Sequence, residues 1–219
     1  MIHKQIIQTN FPTLHLTDKV EFALQLMDEY DVQHLPIIDE EKFLGIISKQ
    51  DLLDTEEDFR IETLHHQFIT KTVRQDTFFT ESLALMAEEE LSIVAVINNH
   101  HQYVGSITSN KILQALNTFL DTNDTGAIIV LEVDKRHYSF GEISRLVETN
   151  NAYITQLNTF FNKENGNTTV TIKLNTNEVS DIIATLQRYD YHVVRYFGEE
   201  AYANEIKENY NHLMAYLNI

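Results

Sequence analysis

No cysteine occurs in the 219 residues. That removes disulfides, thiolate zinc sites and cysteine nucleophiles together, and it suits a reducing compartment. Basic residues are scarce: 16 Lys and Arg stand against 33 Asp and Glu, a formal charge of -17. Such a chain repels phosphodiester backbones and anionic lipid surfaces within a Debye length, so neither nucleic acid nor a membrane is an expected partner. An anionic ligand must instead be held by a local device, such as a helix N-terminus or one well-placed cation. Long apolar runs are missing as well. No stretch approaches the roughly 18 apolar residues needed to span a bilayer, and the start, Met1 to Asn10, has no apolar h-region. A cytoplasmic protein is expected. No nucleophile–base pair, metal-ligand set or phosphate-cradling Walker loop is legible, so no catalysis, no catalytic cofactor and no metal are expected. His65-His66 and His100-His101 lack His-x-x-x-His spacing and read as loop residues.

The rest of the composition belongs to a folded chain. Apolar residues make up 43% and charged residues 22%, interspersed, so the whole chain is expected to fold rather than stay disordered. Its length fits two or three small domains.

The first half repeats itself. Residues 21–27, Glu-Phe-Ala-Leu-Gln-Leu-Met, align with residues 80–86, Thr-Glu-Ser-Leu-Ala-Leu-Met, and the same register carries Asp39 onto Asn98. Farther on, Gly45-Ile-Ile-Ser48 matches Gly105-Ser-Ile-Thr108 with one more residue between, placed in the turn from Asn98 to Val104, where a hairpin tolerates it. In the first repeat Phe22, Ala23, Leu26, Met27 and Tyr30 recur at helical spacing, behind an Asp18/Glu21 pair suited to a capping box. Residues 35–38 and 43–47 are short branched-apolar runs around a charged turn, which predicts two paired strands, and a second helix begins near Lys49. The second repeat predicts a helix over 80–90, strands over 93–97 and 103–107, and a helix over 110–120.

The run Met27-x7-Leu35-Pro-Ile-Ile-Asp39, then Leu44-Gly-Ile-Ile-Ser-Lys-Gln-Asp51-Leu-Leu, resembles the CBS domain pattern. The resemblance implies a tandem pair (a Bateman module) of two β-α-β-β-α units at residues 1–60 and 61–120, packed sheet to sheet, with clefts that bind adenosyl compounds. Gly45 admits a ligand without a Cβ in the way, Ser48 sits where helix N–H groups collect and suits a phosphate, and the family uses the acid at Asp51 for the ribose hydroxyls. The plainer alternative is that Ser48 caps the helix and Asp51 favours its positive end. The second repeat keeps Gly105 and Thr108 but has Lys111 where the family has the acid. Lysine offers donors and no acceptor, so either it meets a phosphate tail or it is a solvated helix residue. Ala95 and Ile93 stand where the first repeat has Pro36 and His34, so the two clefts are not equivalent. His34 either bonds a ligand or is satisfied inside the fold.

After a polar linker ending near Gly126, the apolar run 127–133 predicts a strand, Ser139-Phe-Gly-Glu142 a capped helix, 153–161 and 168–174 two strands joined by a glycine-containing turn, 178–189 a helix and 191–197 a last strand. The order β-α-β-β-α-β is ferredoxin-like. Residues 126–197 therefore resemble an ACT domain, as in CBS proteins of the acetoin-utilisation type. The fold class expected is α+β, with two α/β-type CBS units, a ferredoxin-like ACT domain and a C-terminal amphipathic helix at 199–219 carrying Ile206, Tyr210, Leu213, Met214 and Leu217. The ACT effector loop is represented by Asp134-Lys-Arg-His-Tyr-Ser-Phe-Gly141, without the usual proline. Asp134, Arg136 and Gly141 are its candidate ligand residues, with Arg136 suited to a carboxylate.

These observations predict a regulatory protein that senses an adenosyl nucleotide (AMP, ATP, NAD or S-adenosylmethionine class) and signals by rearranging modules or subunits, as a homodimer or through a protein partner. The alternative is an unliganded scaffold with degenerate clefts that holds subunits together.

Overall fold

The structure, a computed structural model, describes residues 1–198. The tail 199–219, read from the sequence as a helix, lies outside the described residues. The chain divides into two compact units, Met1–Leu120 and Asp121–Ile219.

In the first unit each repeat gives a helix, a β-hairpin and a second helix. The first contributes α1 (Val20–Glu29), β1 (His34–Asp39), β2 (Lys42–Ser48) and α2 (Lys49–Leu53). Between them and the second repeat lie a 3-10 turn, Ile61–Gln67, and the short β3 (Val73–Arg74). The second repeat contributes α3 (Thr80–Glu89), β4 (Ile93–Ile97), β5 (Tyr103–Thr108) and α4 (Ser109–Phe119). The repetition reaches below the level of elements. Each hairpin breaks register at equivalent points, between Ile37 and Ile38 and between Val96 and Ile97, beside the pairs Ile37–Gly45 and Val96–Gly105. Both first helices end with a residue at positive φ, Asp31 (51°) and Glu90 (54°), and with matched bonds, Val32 N–H to Met27 O and Leu91 N–H to Met86 O, each 3.0 Å. The extra residue of the second hairpin is absorbed by a turn in which the Asn98 side-chain oxygen accepts from the N–H groups of His100 and Gln102.

Two local expectations change. Asp18 does not cap α1; Lys19 is the N-cap, without a side-chain bond, and the Asp18 carboxylate accepts from His15 N–H at 2.8 Å, closing the turn before the helix. α1 buries Val20, Ala23 and Met27, whereas Phe22 and Tyr30 are exposed, because the stripe facing the hairpins is one residue narrower on each side than the apolar spacing suggests.

The repeats also exchange chain. Residues 1–8 lie against the second repeat: His3 N–H donates to Thr77 O, Lys4 N–H to Gln75 O, and Gln8 exchanges both backbone bonds with Ser106. Conversely Ile69 exchanges both backbone bonds with Ile46 of the first repeat. The division expected at 60/61 is thus crossed in both directions, and the two repeats share one core, from Leu14, Met27, Leu35, Ile37 and Ile46 to Met86, Ile93, Val96, Ile107 and Ile112.

The second unit is a four-stranded antiparallel sheet in the order β9-β6-β8-β7, built from β6 (Ile128–Asp134), α5 (Phe140–Glu148), β7 (Ile154–Phe161), β8 (Asn167–Leu174), α6 (Ser180–Arg188) and β9 (His192–Phe197). Alternation decides the faces: Ile129, Leu131 and Val133 with Val170, Ile172 and Leu174 pack on Ile143, Leu146, Val147, Ile182 and Leu186 of the helices. Ser139 caps α5 by accepting from Glu142 N–H at 3.3 Å.

Candidate ligand cleft

The positions singled out in the two repeats end up in different surroundings. In the first repeat Ser48 is the N-cap of α2: its Oγ accepts from Asp51 N–H at 3.2 Å and donates to the Asp51 carboxylate at 2.5 Å, while Ser48 N–H reaches the same carboxylate at 3.4 Å. Asp51 is therefore engaged by its own cap. The space a Cβ would occupy at Gly45 is taken by Phe68, whose Cβ would be 2.6 Å away. What comes close to that glycine is the chain joining the repeats, not an open cavity. Pro36 is buried in β1. Its partner Ile46 spends its N–H and C=O on Ile69, and Pro36 O accepts from Leu14 N–H at 2.8 Å, so no neighbour is left asking for the donor that proline lacks.

The second repeat repeats the close approach. Gly105 has φ +146°, and a Cβ there would lie 2.5 Å from Gln8 O, so glycine is required by the docking of residues 1–8. Immediately beyond that docked segment, however, the chain stays open. A cleft of about 590 Å³ is lined by Ile7 to Pro12, by Tyr30, Asp31 and Val32 at the end of α1, by Ser92, and by Thr108, Ser109, Asn110, Lys111 and Gln114 at the start of α4. That volume lies within the range of small-ligand sites.

Three features give the cleft chemistry. The N-terminus of α4, an 11-residue helix, opens into it, with Thr108 Oγ1 accepting from Lys111 N–H at 3.4 Å, and Lys111 adds a cation there. Among the described residues its ammonium is held by nothing stronger than Gln114 Oε1 at 3.4 Å. On the other wall Asp31 offers a carboxylate. Tyr30, Phe11, Pro12 and Val32 offer apolar and aromatic surface, Tyr30 being about half exposed. Gln8 contributes a buried side-chain oxygen that has no hydrogen-bond partner among the described residues.

At the corresponding positions of the first repeat two charged side chains pair instead. Asn10 lies two residues beyond the Gln8–Ser106 bridge, and Lys71 two residues beyond Ile69–Ile46. Lys71 Nζ meets Glu89 at 2.5 Å and Glu88 at 3.5 Å, and Glu89 is the repeat counterpart of Tyr30. A cation and an acid thus join where the second repeat leaves an amide and an aromatic ring on either side of the cleft.

His34 does not line the cleft. It is buried, its Nδ1 accepts from Ser92 N–H at 3.2 Å and lies 3.0 Å from Ser92 Oγ, and burial lowers its pKa from the ordinary 6.5, opposed by the charge of Asp51. Ala95 and Ile93 are buried in β4.

In the second unit Asp134 accepts from Arg136 N–H at 2.8 Å, which shapes the loop through the backbone. Arg136 and Gly141 are exposed, and nothing lies within 4 Å of a Cβ placed at Gly141. A smaller cavity of about 430 Å³ is lined by Val133, His137, Glu142, Tyr189, Asp190 and Tyr191, and by none of the three candidates. There Tyr191 donates to Glu142 at 2.9 Å, and burial, then Glu142, raise the tyrosine to about 12. Among the described residues no group of three or more His, Asp or Glu is placed to hold a metal ion. No helix among them is long and apolar enough to cross a membrane.

The sequence reading missed Asn10, Tyr30, Asp31 and Ser92 as cleft residues. They come from two different repeats and from the N-terminal segment, so nothing local signals that they meet. The signal available was the second repeat's departure from the acid at Lys111, which marks the two sites as chemically unlike.

Residues 4–58 match the CBS domain family. A homoserine O-acetyltransferase of Methanosarcina acetivorans is 28% identical over 111 residues, 49% of this chain and 20% of that protein, so the chain spans about a fifth of that relative's length. Among solved structures, a CBS domain pair/ACT domain protein of Thermotoga maritima is 24% identical with a TM-score of 0.50, over 55% of this chain and 99% of that one. An acetoin utilization protein of Vibrio cholerae is 22% identical with a TM-score of 0.47, over 56% and 95%. Residues 4–58 thus match the CBS domain, the first unit as a whole has the fold of a CBS domain pair, and the second unit has the β-α-β-β-α-β order of an ACT domain.

Proposed function

We propose that the CBS pair is a regulatory sensor without catalysis of its own, and that it binds an adenosyl nucleotide in the cleft of the second repeat. CBS pairs are in general ligand-sensing regulatory modules. The observation that carries the reading is the unlike state of the two clefts: one is bridged by Lys71 and Glu89, the other is open, with Lys111 and a helix N-terminus on one wall and Asp31 on the other. Phosphates belong at Lys111 and the start of α4, the ribose hydroxyls at Asp31, and the base against Tyr30 and Phe11. Lys111 thereby takes the phosphate role considered for it, and Asp51 acts as a helix cap. A cation at the phosphate end favours AMP, ADP, ATP or NAD over S-adenosylmethionine, whose sulfonium is positive.

We assign the protein to the cytoplasm, acting as a homodimer or through a protein partner. β7 supports the dimer: among the described residues it is an eight-residue edge strand with no charged residue and with Phe160 and Phe161 exposed, an edge able to pair with a second copy.

Calorimetric titration of AMP, ADP, ATP, NAD and S-adenosylmethionine into the wild type, Asp51→Ala and Lys111→Ala tests the assignment. Binding that survives Asp51→Ala and weakens about tenfold or more in Lys111→Ala supports it. Loss in Asp51→Ala alone moves the site to the first repeat, and absence of binding to the wild type leaves the scaffold reading.

A further inference from the structure

Ser92 forms part of the cleft wall, and every polar group it has is tied down. Its O accepts from Ser109 N–H, the first residue of α4, at 3.0 Å. Its Oγ accepts from Gln33 N–H at 3.2 Å. Its N–H donates to His34 Nδ1 at 3.2 Å, and its Oγ lies 3.0 Å from the same nitrogen. Two of these ties come from the first repeat, so the wall of the second repeat's cleft is positioned from across the pair.

We propose that His34 is the positioning residue of this cleft: its neutral Nδ1 holds Ser92, and through Ser92 the start of α4, where the ligand's anion sits, and its protonation releases that wall. The inference rests on the ligand-binding reading of the cleft. The chemistry is a matter of donors and acceptors. With the proton on Nε2, Nδ1 accepts from Ser92 N–H; an imidazolium carries a proton on both nitrogens and can accept from neither. Ser92 N–H, half-buried at the cleft wall, then faces another donor and loses its acceptor, while the new Nδ1–H turns to Ser92 Oγ 3.0 Å away, so the backbone tie gives way to a side-chain one.

The charged groups around the ring are few. From α2, Asp51 acts on it and favours the cation, while Lys49 is turned away to Asp28 at 2.5 Å. β2 presents Ser48 opposite His34; β4 carries no charged residue; β1 itself carries only Asp39, at its far end; and α4 brings Lys111, and the end of α1 Asp31, into the cleft that Ser92 lines. Burial outweighs Asp51, so the neutral ring is favoured and the cation forms at a lower pH than for an ordinary imidazole.

The test compares ATP affinity at pH 7.5 and at a pH below the His34 ring titration, which NMR of the wild type locates, in the wild type and in His34→Asn, whose amide oxygen replaces Nδ1 as acceptor and does not titrate. ATP's own protonation affects both proteins alike. The wild type is expected to bind about fivefold more weakly at the lower pH than His34→Asn does, after matching within about twofold at pH 7.5. In the wild type without ligand, the Ser92 amide resonance is expected to titrate with the His34 ring, a readout that needs no variant. Equal pH dependence in the two proteins, or a Ser92 amide that ignores the ring, overturns this inference alone. Absence of ATP binding to the wild type at pH 7.5 overturns the nucleotide reading, and this inference with it.

Discussion

At the scale of single residues, glycines separate what the backbone requires from what it merely allows. Gly105 combines φ +146° with a Cβ position 2.5 Å from Gln8 O. Gly105→Ala must move the docked N-terminal segment or distort β5, and is expected to cost about 2–4 kcal/mol in chemical denaturation. Gly141, in the first turn of α5 with nothing within 4 Å, is the control: Gly141→Ala is expected to stabilise by about 0.5–1 kcal/mol, as it removes backbone freedom from the unfolded chain. A stable Gly105→Ala protein would show that residues 1–8 are not held as described. Tyr103 makes a third single-residue case. Burial raises it to about 12, partly offset by its bond to Ser106 at 2.9 Å. Its folded value lies above the unfolded 10.0, so its contribution to stability is full below pH 10 and is lost as pH rises towards 12. Tyr103→Phe should flatten that part of the alkaline stability curve.

At the scale of elements, the N-terminal segment is the piece on which the cleft depends. His3 is fully buried in the second repeat, with Nδ1 2.7 Å from Arg74 O and 3.1 Å from Thr77 Oγ1, and Nε2 2.9 Å from Ser82 Oγ. Its side chain bonds only to the second repeat among the described residues, while its carbonyl accepts from Ile7 N–H at 3.0 Å, so it anchors the chain that supplies Ile7 to Pro12. His3→Ala is expected to cost about 2–3 kcal/mol, to speed hydrogen exchange at Ser106 and Gln8 together, and to weaken nucleotide binding without altering Lys111. This dependence was not legible in the sequence. Local pattern sufficed for β4 and for the β-α-β-β-α-β order of the second unit, because alternation and helical spacing are local. It also exposed Lys111 as a departure. It could not show that Gln8 pairs with Ser106, or that Phe68 fills the space at Gly45, since those pairings join segments with no sequence signal in common. Asp51 shows the limit of spacing: serine followed by aspartate three residues later looks the same whether the acid serves a ribose or its own helix cap, and the structure shows the cap bonds.

At the scale of the whole chain, the two units carry separate cores, one centred on the β1–β2 and β4–β5 hairpins and the other on β6 and β8. A ligand confined to the first unit stabilises that unit by RT ln(1 + [L]/Kd), about 2.7 kcal/mol at a hundredfold excess over Kd, and has no direct purchase on the core of the second. Calorimetric melting of the full chain should therefore show two transitions, of which nucleotide raises one. Lys111→Ala should cancel that rise while leaving both unliganded transitions in place, because Lys111 supports neither core. Transitions that rise together would mean that occupancy of the CBS pair is felt in the ACT-type unit, the coupling a sensor needs to pass its signal on, and its size could be read from the shift of the second transition. If the second transition stays fixed in the monomer and moves only at higher protein concentration, the signal runs through subunit association, and the exposed β7 edge is the first place to mutate.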